Sequence, residues 1–199
     1  MSPAFADIAF TPAVKDAQAR DGSRAGYERA VAREPAGAVV ALGDDERAFI
    51  EAQRSFFMAT VSETGWPYVQ HRGGAPGFLR VVDERTLQFA DLAGNRQFVS
   101  VGNLAAGDRV ALILVDYANQ ARLKILGHLS MREVEPGDPA LETLLPPELR
   151  SRARRIMTIA VAAFDWNCSQ YIPLLLSPDD VMAELQSRGI APARTAGDD

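Results

Sequence analysis

The stretch RLKILGHLSMREV, residues 122–134, decides the fold. Leu123, Ile125, Gly127, Leu129 and Met131 fall on one face, and Arg122, Lys124, His128 and Ser130 on the other. A period of two sustained over this length is a β-strand with one core face and one face open to a polar ligand. Before it, across the turn Ala118-Asn119-Gln120-Ala121, Val110 to Tyr117 reads as its hairpin partner.

The same logic extends along the chain. Phe56 to Ser62 and Pro67 to Arg72 are strands around the turn Glu63-Thr64-Gly65, and Phe78 to Val82 pairs with Leu87 to Asp91. Gly73 to Gly77 is too rich in glycine and proline for regular structure. Ile156 to Phe164 is apolar on both faces, as expected for a strand closed inside a barrel and covered outside. Short turns and few helices predict a mainly β protein, a six-stranded antiparallel barrel with N-terminal and peripheral helices.

Residues 1–45 read as a helical extension, 46–190 as the barrel domain and 191–199 as a disordered tail. Thr11-Pro12 starts a helix running to about Val31, with Val14, Tyr27 and Val31 as apolar contacts, before Glu34-Pro35-Ala36-Gly37 breaks it. A second helix runs from Asp44 or Asp45 to Arg54. A short one begins near Asn95, Pro146-Pro147 starts another, and Ser177-Pro178 caps a last one to Arg188.

The chain has 199 residues and a net charge of −5. That balance argues against nucleic acid as a partner. No apolar run is long enough to span a membrane, and Met1 to Phe10 lacks a signal-peptide pattern. The single cysteine, Cys168, has no internal disulfide partner and fits a reducing cytoplasm. Two histidines and no cysteine or carboxylate at ligand spacing make a zinc site a poor reading.

Four clusters carry the candidate chemistry. Gly94-Asn95-Arg96-Gln97 joins a strand end to an expected helix start, where free N–H groups and a guanidinium suit an anion; Gly-Asn is also an ordinary turn. In Gln70-His71-Arg72-Gly73-Gly74, alternation puts Gln70 and Arg72 on one side and His71 on the other. Arg122 and Lys124 share a strand face and form a positive wall if they border a barrel mouth. Asp165-Trp166-Asn167-Cys168-Ser169-Gln170 combines an aromatic face with amides, which suits a flavin ring and equally a core plug with capped turn.

These clusters resemble the FMN-binding split β-barrel proteins related to pyridoxamine 5′-phosphate oxidase. The likeness rests on Phe57-Met58-Ala59-Thr60-Val61 with Gly65-Trp66-Pro67-Tyr68, on Phe89-Ala90-Asp91 with Gly94-Asn95-Arg96-Gln97, and on Ala121 to Gly127. It covers residues 46 to 135. Phe10 to Val14, Tyr68 to Gly74 and Phe164 to Cys168 further resemble a bacterial subgroup of such FMN-binding relatives.

The resemblance implies FMN as cofactor and a homodimer with the flavin at the subunit interface. It implies Asn95, Arg96 and Arg72 at the phosphate, helped by Lys124 and Gln97. Gln70 and Arg122 go to the ring edge or the ribityl chain, and His71 to the same strand. Trp166, Asn167 and Gln170 line the ring from the second subunit. No residue stands out as a catalytic acid or base. Two departures matter. Where the oxidases carry Ser-Arg-Lys this chain has Asn95-Arg96-Gln97, and nothing after Phe164 matches their substrate-holding Arg-x-His segment. FMN binding is therefore better supported than pyridoxamine oxidation. The alternatives are a flavin sensor or carrier without turnover, and a related barrel using deazaflavin or haem, for which His71 and His128 are the only histidines.

Overall fold

The computed structural model describes residues 2–33, 40–135, 137–167 and 169–188. The expected helix break at residues 34–37 and the tail at 191–199 lie outside them, as do the Asn167 side chain and Cys168.

Seven strands among the described residues form one antiparallel sheet, where the sequence predicts six. They are β1 (Ser55–Val61), β2 (Pro67–Gly73), β3 (Leu79–Asp83), β4 (Thr86–Leu92), β5 (Arg109–Asp116), β6 (Ala121–Glu133) and β7 (Ala153–Asn167). Their order is β2-β1-β5-β6-β7-β4-β3. The sheet curls on itself into a split barrel. Phe56 on β1 meets Phe89 on β4 edge to face at 5.4 Å, although three strands separate them in the sheet. Both rings are almost fully buried, and each burial contributes about 1.5–3 kcal/mol.

Alternation sets which residues fill the barrel. On β6, Leu123, Ile125, Gly127 and Leu129 face inward as predicted, but Met131 is 38% exposed because the strand has run past the core. Gly127 is required by crowding: a Cβ there would lie 2.6 Å from the Ala160 carbonyl oxygen. The β6–β7 register shifts at this point, between Leu126 and Gly127. On β7, neighbouring Ile156 and Met157 are both buried, Ile156 in a small cluster with Leu141 and Leu144 and Met157 in the main core. This is the outside cover that the doubly apolar strand implied.

The helices are α1 (Pro3–Ala9), α2 (Pro12–Asp21), α3 (Arg24–Ala32), α4 (Asp44–Ala52), α5 (Val99–Asn103), α6 (Leu141–Leu144), α7 (Pro147–Arg150) and α8 (Pro178–Ser187). The single helix expected from Thr11 to Val31 is two. Thr11 caps α2 as predicted, but Gly22, at φ 80°, takes the left-handed conformation that ends it. The sequence reading missed α1. Its Phe5 is buried, with the Lys124 ammonium 5.7 Å from the ring centre, and Ser2 Oγ donates to the Phe164 carbonyl at 2.9 Å.

Candidate functional site

A cleft of 390 Å³ opens where the end of β4, the 93–98 segment and the start of β7 meet β2. Its size suits a small ligand. Tyr68, Gln70 and Arg72 line it from one face of β2, as alternation predicts. Asn95, Arg96 and Gln97 line it from the loop. The structure thus brings together five residues named from the sequence.

The loop is not the helix start that the sequence suggested. Arg96 and Phe98 have φ of 61° and 53°, and two left-handed residues so close together stop a helix from propagating. The helix begins only at Val99 and spans five residues. The Asn95 side chain accepts the Gln97 N–H at 3.2 Å, a local turn that competes with helix formation. Arg96 is exposed on the loop. Any anion here meets side chains and loop N–H groups first, with only the start of the five-residue α5 beside them.

The strand side is more rigid. Gln70 accepts a hydrogen bond from Ser100 Oγ at 2.9 Å. That fixes the amide and leaves its NH2 group as the remaining donor. Asp91, on β4, receives Arg72 on one carboxylate oxygen and Arg155 on the other, the latter at 3.4 Å. All three side chains are largely buried. The Arg72 guanidinium lies 5.5 Å from the Phe89 ring centre and that of Arg155 lies 5.1 Å from Phe98. The Nε atoms of Arg72 and Arg155 are buried without a hydrogen-bond partner in the protein, an arrangement that is costly unless something compensates.

Arg154 and Arg155 are the cleft residues that the sequence did not reveal. The signal was the run Arg152-Ala153-Arg154-Arg155. With the last strand read as starting at Ile156, these arginines fell into a connecting segment. The strand starts at Ala153, because Leu92 pairs with Ala153 and Asp91 with Arg155. Among the described residues, Arg72, Arg96, Arg154 and Arg155 line the cleft with Asp91 as its one carboxylate, in a chain whose net charge is −5.

The other predicted residues lie elsewhere within the single chain. Lys124 sits against α1 and pairs across the ladder with Asp165. Burial pushes the Asp165 carboxyl above its usual range, with Lys124 pulling the other way. Arg122 is opposite Val115 and Asn167 in the sheet. Trp166 donates to Glu46 at 2.7 Å and packs edge to face on Phe49 at 4.7 Å. Gln170 is exposed beyond the end of β7. His71 lies on the outer face of β2, edge-on to Phe57 at 5.4 Å. His128 is hydrogen-bonded to Asp108 at 3.0 Å on the surface, and that bond holds the Asp108 carboxyl below its usual range. Neither histidine lines the arginine cleft. No group of three His, Cys, Asp or Glu suited to a metal ion occurs among the described residues. No described helix is long and apolar enough to cross a membrane.

A split barrel with an arginine-lined cleft beyond β4 defines the class of protein. The chain belongs to the pyridoxamine 5′-phosphate oxidase family, whose sequence profile matches residues 42–163. No curated protein matches it. Similar solved structures include HupZ of Group A Streptococcus, 13% identical, covering 67% of this chain and 98% of that one at a TM-score of 0.48. An FMN-binding protein from Syntrophomonas wolfei is 14% identical and covers 66% and 85% at 0.46. General Stress Protein 26 from Bacillus anthracis is 16% identical and covers 60% and 88% at 0.44. At these scores the likenesses say nothing about the site.

Proposed function

We propose that the protein binds FMN, with the 5′-phosphate in the arginine cleft, and works as a homodimeric oxidoreductase. The observation that carries this reading is the charge of the cleft: among the described residues Arg72, Arg96, Arg154 and Arg155 line it with Asp91 as the one carboxylate, while the largely exposed Glu133 reaches Arg155 at 3.7 Å. A focused positive site in an acidic chain selects a compact anion, and guanidinium groups match phosphate geometry. The residues fit the group. Arg72 and Arg155 have fixed, partly unsatisfied guanidinium groups, Gln70 has a free amide donor, and Phe98 offers an apolar surface half exposed to solvent.

Bound FMN supplies hydride or electron transfer, and the chain supplies binding, orientation and electrostatics. Asp91, the one carboxylate of the cleft, is committed to two arginines. That suits a structural role better than that of an acid or base.

The dimer reading is supported by an apolar outer face on the sheet. Register aligns Leu126, Ala111, Ala59 and Val69 in one row and Lys124, Ile113, Phe57 and His71 in the next. Phe57, Val61 and Val69 are 37%, 51% and 60% exposed, and a contiguous patch of this kind marks an association surface. In this reading a second copy brings its own Trp166 and Gln170 to line the flavin ring.

The test is titration of purified apoprotein with FMN, riboflavin and inorganic phosphate, followed by flavin absorbance and fluorescence. FMN binding much tighter than riboflavin, with phosphate as a competitor, supports the reading. Equal affinities for the two flavins sink it.

A further inference from the structure

A second cavity, of 510 Å³, adjoins the arginine cleft and shares Gln70, Arg72 and Leu92 with it. We infer that it binds a small, largely apolar organic anion beside the cofactor. The inference rests on the FMN reading for the identity of the neighbour, and on the cavity's own walls for the ligand class.

The walls are preformed. On one side is the glycine-rich segment after β2. It is held to the end of α4 by Gly74 N–H donating to the Arg54 carbonyl at 3.0 Å and Gly77 N–H donating to the Glu51 carbonyl at 2.6 Å. Gly74 is needed there, since a Cβ would lie 2.6 Å from that of Phe78, itself a wall residue. On the other side are α6 and α7, anchored by the buried Leu141, Leu144 and Leu145. Two arginines pin this side. Arg80 Nε on β3 donates to the Thr143 carbonyl, and Arg150 Nε on α7 donates to the Leu145 carbonyl, both at 3.1 Å.

The chemistry of the lining is two-sided. Phe78, Phe89, Leu92, Leu144 and Leu149 make an apolar floor. Arg72, Arg80 and Arg150 carry positive charge at its edge against the single carboxylate Glu142. An apolar pocket with a few fixed polar groups orients a ligand by those groups while the floor binds its body. A carboxylate, sulfonate or phosphate ester on an aromatic or aliphatic frame meets both demands. A cation meets neither, and a polyol leaves the floor unused.

The probe is anilinonaphthalene sulfonate, an aromatic body with one anionic group, followed by its fluorescence on binding. Phenylnaphthylamine, the same frame without the sulfonate, is the neutral comparison. Wild type should bind one sulfonate per chain. Arg80→Gln with Arg150→Gln should weaken it roughly tenfold or more, the scale of a charge-assisted contact, and weaken the neutral probe far less, since the loss of wall-pinning bonds acts on both probes alike and the loss of charge on the sulfonate alone. Leu149→Trp, which fills the floor, should weaken both probes. Arg96→Gln, on the exposed loop that lines only the arginine cleft, should leave the sulfonate affinity unchanged. If Leu149→Trp does not fold, the paired glutamine variant and the neutral probe still decide. Unchanged sulfonate binding in the paired variant overturns the proposal. So does loss of sulfonate binding in Arg96→Gln, because the probe then sits in the arginine cleft. FMN affinity is measured on the same proteins. Wild type that fails to bind FMN removes the cofactor reading alone, and a probe indifferent to the cavity variants removes this one alone.

Discussion

Arg72 on β2 donates to Asp91 on β4, and the two strands lie towards opposite ends of the sheet. This ion pair crosses the split where no hydrogen-bonded ladder closes the barrel. The same carboxylate also holds Arg155, so one side chain both bridges the open seam and sets the positive wall of the cleft.

Asp91→Asn is therefore expected to cost roughly 3 kcal/mol, because it leaves two largely buried guanidinium groups without their shared carboxylate, with only the exposed Glu133 near Arg155. For a chain of this size that lowers the melting temperature by about 6–12 °C. Urea unfolding of the apoprotein checks it. A change under about 0.5 kcal/mol would show that the bridge contributes nothing to closure.

How far the cleft is legible in the sequence depends on the element. Gln70 and Arg72 were readable because strand alternation is a hard geometric rule. Arg96 lines the cleft, but the helix start that drew attention to it is absent. A strand end followed by Gly-Asn suggested a helix N-terminus, and only the left-handed residues at Arg96 and Phe98 reveal a loop. Arg155 was invisible as a site residue because its role depends on pairing with Asp91, 64 positions earlier. The cover of β7 was legible from its two apolar faces. The burial of α1 against the sheet was not, since seven residues give too short a pattern to read.

Gly127→Ala tests the crowding at the β6–β7 shift. The added methyl would meet the Ala160 carbonyl oxygen at 2.6 Å and Ile159 Cγ2 at 2.8 Å. Backbone cannot yield as a side-chain end can, so overpacking should cost about 1–3 kcal/mol. Thermal unfolding beside Gly102→Ala, where nothing lies within 4 Å, isolates the steric effect. Equal melting temperatures for the two variants contradict it.

Val69→Arg tests the association face. Val69 is 60% exposed in the single chain, so the change should leave the fold of a protomer intact. In a two-fold interface each added charge meets an apolar patch and its own symmetry mate. Light scattering should therefore show dimer for the wild type and monomer for the variant. A wild type that is monomeric at micromolar concentration, or a variant that dimerises equally well, removes this face as the contact.

Arg155→Ala and Arg96→Ala together separate the two kinds of arginine in the cleft. Arg96 is an exposed loop residue, free to reach a phosphate but costly to order. Arg155 is held by Asp91 and lies over Phe98, so its position is already determined before a ligand arrives. A charge-assisted hydrogen bond contributes about 1.5–3 kcal/mol, which converts to roughly a 10- to 100-fold loss of FMN affinity on removal. The preorganised Arg155 should fall at the upper end of that range and the exposed Arg96 at the lower end. Riboflavin, which lacks the phosphate, should bind wild type and both variants with equal weakness. Salt sharpens the distinction, since screening acts more on the exposed Arg96 than on the buried Arg155. Raising ionic strength should therefore bring wild type and Arg96→Ala closer together while Arg155→Ala stays apart. FMN titrations of the three proteins at low and high salt measure this directly. If riboflavin affinity falls in step with FMN affinity, the substitutions have damaged the pocket rather than removed phosphate contacts. Unchanged FMN affinity in Arg155→Ala takes the strand arginine out of the site.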